Sequence, residues 1–156
     1  VTGGSSGIGR AVVLGLAKEG AHVVACGRNG ERLAEVKAAA EPGTVETAAF
    51  DVRHGDKVAH LVDEAVGRLG SVDVLVNAAG IAYMEPVLEI TRESWEDTLD
   101  TNLNAAFFAS QAAARHMVRQ SKGSIVNVSS IDAFVAESPQ AHYNASKAAL
   151  CQLTRS

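Results

Sequence analysis

One run of this chain combines residue types and spacing that suit proton transfer: Tyr143-Asn144-Ala145-Ser146-Lys147, with Ser130 thirteen residues before the tyrosine and Asn102 further back. A tyrosine and a lysine four apart share one face of a helix, so the ammonium can lie beside the phenol. A phenol has an ordinary pKa near ~10, and an adjacent positive charge favours its ionised form and draws it toward the working pH. An alanine-rich helix can also expose Tyr and Lys at this spacing with no chemistry attached, so the rest of the chain must decide.

A second candidate site opens the chain. Thr2-Gly3-Gly4-Ser5-Ser6-Gly7-Ile8-Gly9 leads into an apolar-periodic run from Arg10 that Gly20 closes, which reads as loop, helix and stop. Gly3, Gly7 and Gly9 let the backbone turn tightly and approach a ligand. The free N–H groups and positive dipole end of the helix then suit a pyrophosphate, so a dinucleotide is the natural guest of Gly3, Ser5, Ser6, Gly7, Ile8 and Gly9. The spacing is Gly-x3-Gly-x-Gly, not Gly-x-Gly-x-x-Gly, and context has to carry the reading against a plain Gly/Ser turn.

The elements that must hold these residues alternate. His22 to Cys26 is a short, continuously apolar run, as for a parallel strand covered on both faces. It ends at Gly27-Arg28-Asn29, where an NAD site would place an acid for the ribose 2′-hydroxyl; Arg28 favours the 2′-phosphate of NADP, a solvated turn residue being its other reading. Asn29 caps a helix to about Ala40, and Glu41-Pro42-Gly43 ends it. Val45 to Phe50 is a strand whose end delivers Asp51-Val52, where the aspartate either meets an adenine amino group or caps the coming turn. Val58, Leu61, Val62, Ala65, Val66 and Leu69 fall at helical spacing before Gly70, and Val72 to Val76 is another buried strand. Asn77-Ala78-Ala79-Gly80 closes it with residues small enough for a cofactor to pass, or as a simple tight turn. Thr91 then caps one long helical region holding Trp95, Leu99, Leu103, Ala106 and Met117. Asn102 sits inside that region, and a buried asparagine there needs hydrogen-bond partners. After Gly123, Ser124 to Val128 forms a strand that delivers Ser129 and Ser130 at its carboxyl end, the edge at which open parallel sheets bind ligands.

At 156 residues, 47% apolar and 21% charged, the chain suits one globular domain over 1–156. Its net charge of −4 supplies no basic field for nucleic acid, and no stretch is apolar enough for a membrane span. Cys26 and Cys151 stand apart, so no metal site or disulfide framework is expected and a cytoplasmic protein is the default. His54, His60 and His116 read as surface or packing residues, His142 as packing or a substrate contact beside the tyrosine. Trp95, Phe107 and Phe108 read as core or subunit packing. The chain starts on a glycine turn and stops within an apolar-periodic run, so it reads as a piece cut at both ends.

In order and spacing, the Thr2 to Gly9 loop, Asn77-Ala78-Ala79-Gly80, Asn102, and Ser130 with Tyr143 and Lys147 together resemble the short-chain dehydrogenase/reductase family in its single-domain form. Ala78 and Ala133 depart from the family's frequent asparagine and glycine. The resemblance implies a Rossmann-like, doubly wound parallel α/β sheet, helices on both faces, lacking most of the first strand and the C-terminal strands. It implies Tyr143 as general acid/base, Lys147 lowering its pKa and holding the nicotinamide ribose, Ser130 on the substrate oxygen, and Asn102 ordering a relay water. The implied cofactor is NADP or NAD, the substrate a small polar, sugar-derived or 3-oxoacyl alcohol or ketone, and the assembly a dimer or tetramer. A catalytically silent NAD(P)-binding sensor or partner-binding module, or a non-redox dehydratase or lyase, is the competing reading.

Overall fold

The computed structural model describes residues 1–41 and 44–156. Among the described residues, four parallel strands, β1 (Val23–Gly27), β2 (Val45–Ala49), β3 (Val74–Asn77) and β4 (Ser124–Asn127), alternate with six α-helices. The helices are α1 (Gly7–Lys18), α2 (Gly30–Ala38), α3 (Gly55–Leu69), α4 (Arg92–Leu99), α5 (Ala105–Arg119) and α6 (Ala141–Arg155). β1 pairs with β2 in the register Val23↔Val45 to Gly27↔Ala49, and β3 with β4 from Val74↔Ser124 to Asn77↔Asn127. Val1 and Thr2 join the two ladders: Thr2 bridges both Cys26 and Asn77, its N–H donating to the Val76 carbonyl at 2.9 Å while Cys26 N–H donates to the Val1 carbonyl at 2.9 Å. The spatial order is therefore β2, β1, Val1–Thr2, β3, β4, and the loop of glycines leaves the sheet at its centre.

Alternation along the strands sorts the core into two layers. Val23 and Ala25 of β1 and Val45 of β2 pack with Val13, Ala17, Leu33 and Val36 of α1 and α2. Cys26 and Leu75 turn the other way, onto Val58 of α3 and Ala105, Ala109, Ala113 and Met117 of α5. The period-two strand geometry thus buries one apolar run against helices on both sides, as a doubly wound sheet requires. β3 differs from the expected buried run: Leu75 faces the α3/α5 layer, whereas Val74 is 47% exposed; in β4, Ile125 faces that layer and Val126 is 49% exposed.

Local chemistry sets the boundaries. Asn29 Oδ1 accepts from Arg32 N–H at 2.9 Å and caps α2; its predicted stop at Pro42-Gly43 lies outside the described residues. Gly70, at φ +86°, closes α3 with its N–H on the Val66 carbonyl. Thr91 caps α4 by accepting from Ser94 N–H at 3.0 Å. The single long helix expected after Thr91 is interrupted, because a π-helical segment, Asp100–Asn104, joins α4 to α5. Such insertions shift the backbone bonding pattern and recur at functional sites.

One buried side chain ties the site half of the sheet together. Asn77, 3% exposed, donates from Nδ2 to Asn127 Oδ1 at 2.8 Å, Ser110 Oγ at 3.1 Å and the Ala106 carbonyl at 3.4 Å, linking β3, β4 and α5. Asn77→Ala should cost about 2 kcal/mol of unfolding free energy, since it strands buried acceptors on two neighbouring elements. Urea titration with an unchanged m-value checks this, and a loss within error of zero would show the amide to be dispensable.

Candidate active site

The carboxyl ends of β1, β3 and β4 and the turn of glycines meet at one edge of the sheet. Gly3 holds φ +69° and Gly9 is buried, and a Cβ added to Gly9 would stand 2.2 Å from the Gly3 carbonyl oxygen. At Gly3 a Cβ would meet the Ala79 backbone N at 2.7 Å, so only glycine lets this loop pack against the Ala78-Ala79 turn. Thr2 Oγ1 accepts from the N–H groups of Ala78 and Ala79 at 3.2 and 3.3 Å and fixes the two loops to each other. Ser6 precedes α1 in extended conformation, and no side chain caps that helix; Ser6, Gly7 and Ile8 are exposed. An uncapped helix start with a Cβ-less floor is the geometry that receives a pyrophosphate, so the residues present fit a dinucleotide.

Lys147 forms the floor further along this edge. It is 5% exposed, its Nζ donates to the Val128 carbonyl at 2.8 Å, and it stands 5.7 Å from the centroid of the Tyr143 ring. Burial pushes its ammonium below the ordinary value of 10.5, partly opposed by the Cys151 sulfur one helical turn on. Gly80 closes the same space: a Cβ there would lie 3.5 Å from Lys147 Nζ and 3.4 Å from Asn102 Oδ1. The lysine, the asparagine and the loop after β3 therefore converge on one point, although 21 or more residues separate them in sequence.

Asn102 is placed by the π-helical segment and is 1% exposed. Its Oδ1 accepts from Ile81 N–H at 2.8 Å, and its Nδ2 donates to the Ile81 carbonyl at 2.9 Å and to Ser146 Oγ at 3.0 Å. Its amide is thus saturated by protein partners, pinning the loop after Gly80 to α6. Ser129 and Ser130 diverge as neighbours on an extended backbone do. Ser129 Oγ donates to the Lys147 carbonyl at 3.1 Å and lies 3.1 Å from Cys151 Sγ. Ser130 instead begins a short 3₁₀ turn, Ile131–Ala133, accepting from Asp132 N–H and donating to Asp132 Oδ2, both at 3.2 Å; Gln140 Nε2 reaches the same carboxylate.

Just beyond the end of β2, Asp51 Oδ1 accepts from Arg53 N–H at 3.0 Å and Oδ2 from Arg53 Nε and Nη2 at 3.0 and 2.8 Å. These bonds hold its carboxyl below the usual range, and Arg28 adds to the effect from a distance. Arg53 also pairs with Asp97 on α4. Asp51 thus caps its own turn, and its Oδ1, which accepts one hydrogen bond, has capacity for another. Val52 is buried in the α3/α5 core and Asn77 points inward, so both lie beneath this edge; Arg28 is exposed at the end of β1. Thr2, Ser146, Asp132 and Gln140 were not singled out from sequence. Thr2 and Ser146 lie within the quoted glycine loop and tyrosine run but had no role there, and Asp132 and Gln140 carry no motif; their position beside the lysine and the serine is the only signal.

The chain matches the model of the short chain dehydrogenase family over residues 1–156. It belongs to the short-chain dehydrogenase family. Among curated members it is 42% identical to gluconate 5-dehydrogenase of Gluconobacter oxydans, covering 99% of this chain and 61% of that protein. It is 44% identical to an L-rhamnose 1-dehydrogenase (NAD(P)(+)) of Azotobacter vinelandii, with 100% and 64% covered, and 36% identical to a 3-oxoacyl-(acyl-carrier-protein) reductase of Thermotoga maritima, with 99% and 64%. The chain thus spans about three-fifths of the length of these relatives. A short chain dehydrogenase from Bacillus anthracis superposes with a TM-score of 0.94 at 32% identity, over 99% of this chain and 66% of that one. The Rossmann-like α/β fold expected from the resemblance is that of these solved family members.

Two hollows lie away from this edge. A groove of about 580 Å³ runs along α4 past Val87, Trp95 and Leu99, and a cleft of about 540 Å³ opens at the far end of β1 and β3 around Val24, Leu61 and Val74. Neither is lined by Ser130, Tyr143 or Lys147. Among the described residues no cluster of three His, Cys, Asp or Glu could hold a metal ion, and no helix is long and apolar enough to cross a membrane.

The buried ammonium gives a pH signature. The unfolded chain binds the Lys147 proton more tightly than the folded chain does, so folding is penalised below the lowered pKa and the penalty fades as pH rises toward 10.5. Relative to Lys147→Met, wild-type stability should therefore rise with pH across the window ending near 10.5 and level off above it. Urea unfolding of both proteins at pH 7 and at steps up to 10.5 checks this; a pH-independent difference would contradict it.

Proposed function

We propose that the protein is an oxidoreductase that interconverts a secondary alcohol and a ketone with NADP(H), or less well with NAD(H). The observation that carries the reading is the Lys147 ammonium, buried beneath the Tyr143 ring and within reach of the space above Gly80. When bound, the nicotinamide supplies or takes up the hydride. Tyr143 gives a proton to the carbonyl oxygen in reduction and removes it from the alcohol in oxidation. Lys147 favours the ionised phenol by its charge and holds the cofactor ribose. Ser130, whose neighbour Ser129 is committed to α6, meets the substrate oxygen. Asn102 keeps the Gly80-Ile81 wall in place beside Lys147.

Support for NADP comes from the end of β1, where Gly27-Arg28-Asn29 carries no acid and the Arg28 side chain is exposed, while the direct hydrogen bonds of Asp51 go to Arg53. The substrate class, a sugar-derived or 3-oxoacyl compound, follows the names of the relatives and comes to this chain only through them. Two free thiols, Cys26 and Cys151, fit a reducing cytoplasm. A homo-oligomer, a tetramer on family grounds, is supported by Trp95, Phe107 and Phe108, which are 40%, 40% and 45% exposed rather than core residues.

In the full-length protein, Tyr143→Phe should abolish NADPH-linked turnover of a ketone panel while leaving NADPH affinity nearly intact; a fully active variant would overturn the mechanism. Arg28→Ala should weaken NADPH roughly tenfold or more and NADH little, the scale of one lost charge-assisted contact. Equal losses for both cofactors would remove the 2′-phosphate assignment. Phe107→Glu with Phe108→Glu should lower the mass seen by sedimentation, and an unchanged mass would place any assembly contact elsewhere.

A further inference from the structure

His142, the residue before the candidate acid/base, is fully buried, and neither ring nitrogen has a hydrogen-bond partner among the described residues. Leaving a polar group unpaired in the interior costs on the order of 1–3 kcal/mol, so a histidine kept there calls for a reason. Its Nε2 faces Glu85 Oε2 at 3.8 Å, and its ring stacks on Tyr83 with centroids 6.0 Å apart. Glu85 is itself held from two sides. Its Oε2 accepts from Ser94 Oγ at 2.6 Å, at the start of α4, and its backbone N–H donates to the Pro139 carbonyl at 2.7 Å, making a parallel bridge to Gln140. Ser94 is fixed in turn by Thr91.

The segment between Ile81 and Glu85 thus has two fastenings. Asn102 clamps Ile81 through both its amide groups, as described above. Glu85 and His142 meet at the other end, on the first turn of the helix that carries Tyr143. Between them Tyr83 and Met84 are 37% and 65% exposed. We propose that His142 is a positioning residue: through Glu85 it fastens the Tyr83-Met84 segment in register with Tyr143, so that this segment forms the wall against which the substrate is placed. A closure of about 1 Å converts the 3.8 Å approach into a charge-assisted hydrogen bond, which is stronger than a neutral one. The pair spans the loop after β3, the start of α4 and the start of α6, and a pair that spans three elements fixes orientation more than it adds stability.

This rests on the oxidoreductase reading, and the test separates the two. In the full-length protein, His142→Leu, His142→Gln, Glu85→Leu and the His142→Leu/Glu85→Leu double variant are compared using a ketone that the wild type reduces and Tyr143→Phe does not. His142→Leu should raise KM roughly tenfold, the scale of one lost charge-assisted contact, with kcat and NADPH affinity changed far less. His142→Gln, whose amide can still donate to Glu85, should recover most of that loss. The double variant should be no worse than either single one, because both remove the same fastening. Hydrogen exchange of the peptide covering 81–88 should speed up in His142→Leu and Glu85→Leu alike, and this arm needs no turnover. Should His142→Leu fail to fold, Glu85→Leu on its partly exposed side chain carries the same expectations. An unchanged KM and exchange rate, losses that multiply independently, or an equal fall in NADPH affinity would overturn the proposal even with the Tyr143 result intact.

Discussion

A single buried ammonium organises the functional edge of this protein. Lys147 is held against the Val128 carbonyl at the end of β4, beneath the Tyr143 ring and opposite Gly80, in a place where burial lowers its affinity for a proton. A charge is stable there only if polar groups converge on it, so the loop after β3, the end of β4 and the first turns of α6 must be fixed relative to one another. Asn77, Asn102, Ser129 and Ser146 do that fixing with hydrogen bonds between elements far apart in sequence. The wall beside the lysine is thus rigid because its polar side chains are spent on the protein itself.

The same logic explains the glycines. Gly3 and Gly9 are required because two backbone segments touch, at 2.7 and 2.2 Å from where a side chain would begin, and Thr2 locks that contact by accepting from two N–H groups of the Ala78-Ala79 turn. Packing the two loops this closely leaves the start of α1 uncapped and open on its outer side. Between that helix start and Lys147 the backbone of Ala78, Ala79 and Gly80 leaves room for the dinucleotide that the proposed function calls for.

Features governed by local chemistry were legible in the sequence. The Asn29 and Thr91 caps, the Gly70 stop, the β1 run and the glycine loop depend on neighbours within a few residues, and they stand where their residue types put them. The Tyr143 and Lys147 spacing was legible for the same reason. What sequence left open depends on distant partners. Asp51 suits an adenine or a turn equally by residue type; it accepts from Arg53 two residues on, and that arginine is held in turn by Asp97 on α4, 44 residues further along the chain. Asn77 lies in a loop motif that suggests ligand contact, yet its amide points into β4 and α5. The π-helical break at Asp100–Asn104 has no glycine or proline to announce it, because the demand for it comes from Ile81 and Ser146, across the fold.

The central claim is that a cofactor bridges the α1 start and Lys147, with Tyr143 facing its reactive end. A crystal structure of the full-length protein with NADPH tests it most directly. Pyrophosphate oxygens are expected on the backbone N–H groups around Gly7 to Gly9, the nicotinamide ribose within hydrogen-bond distance of Lys147 Nζ, and the 2′-phosphate beside Arg28. Density for the cofactor in the α4 groove or in the far cleft, with Lys147 still bonded only to Val128, would contradict it.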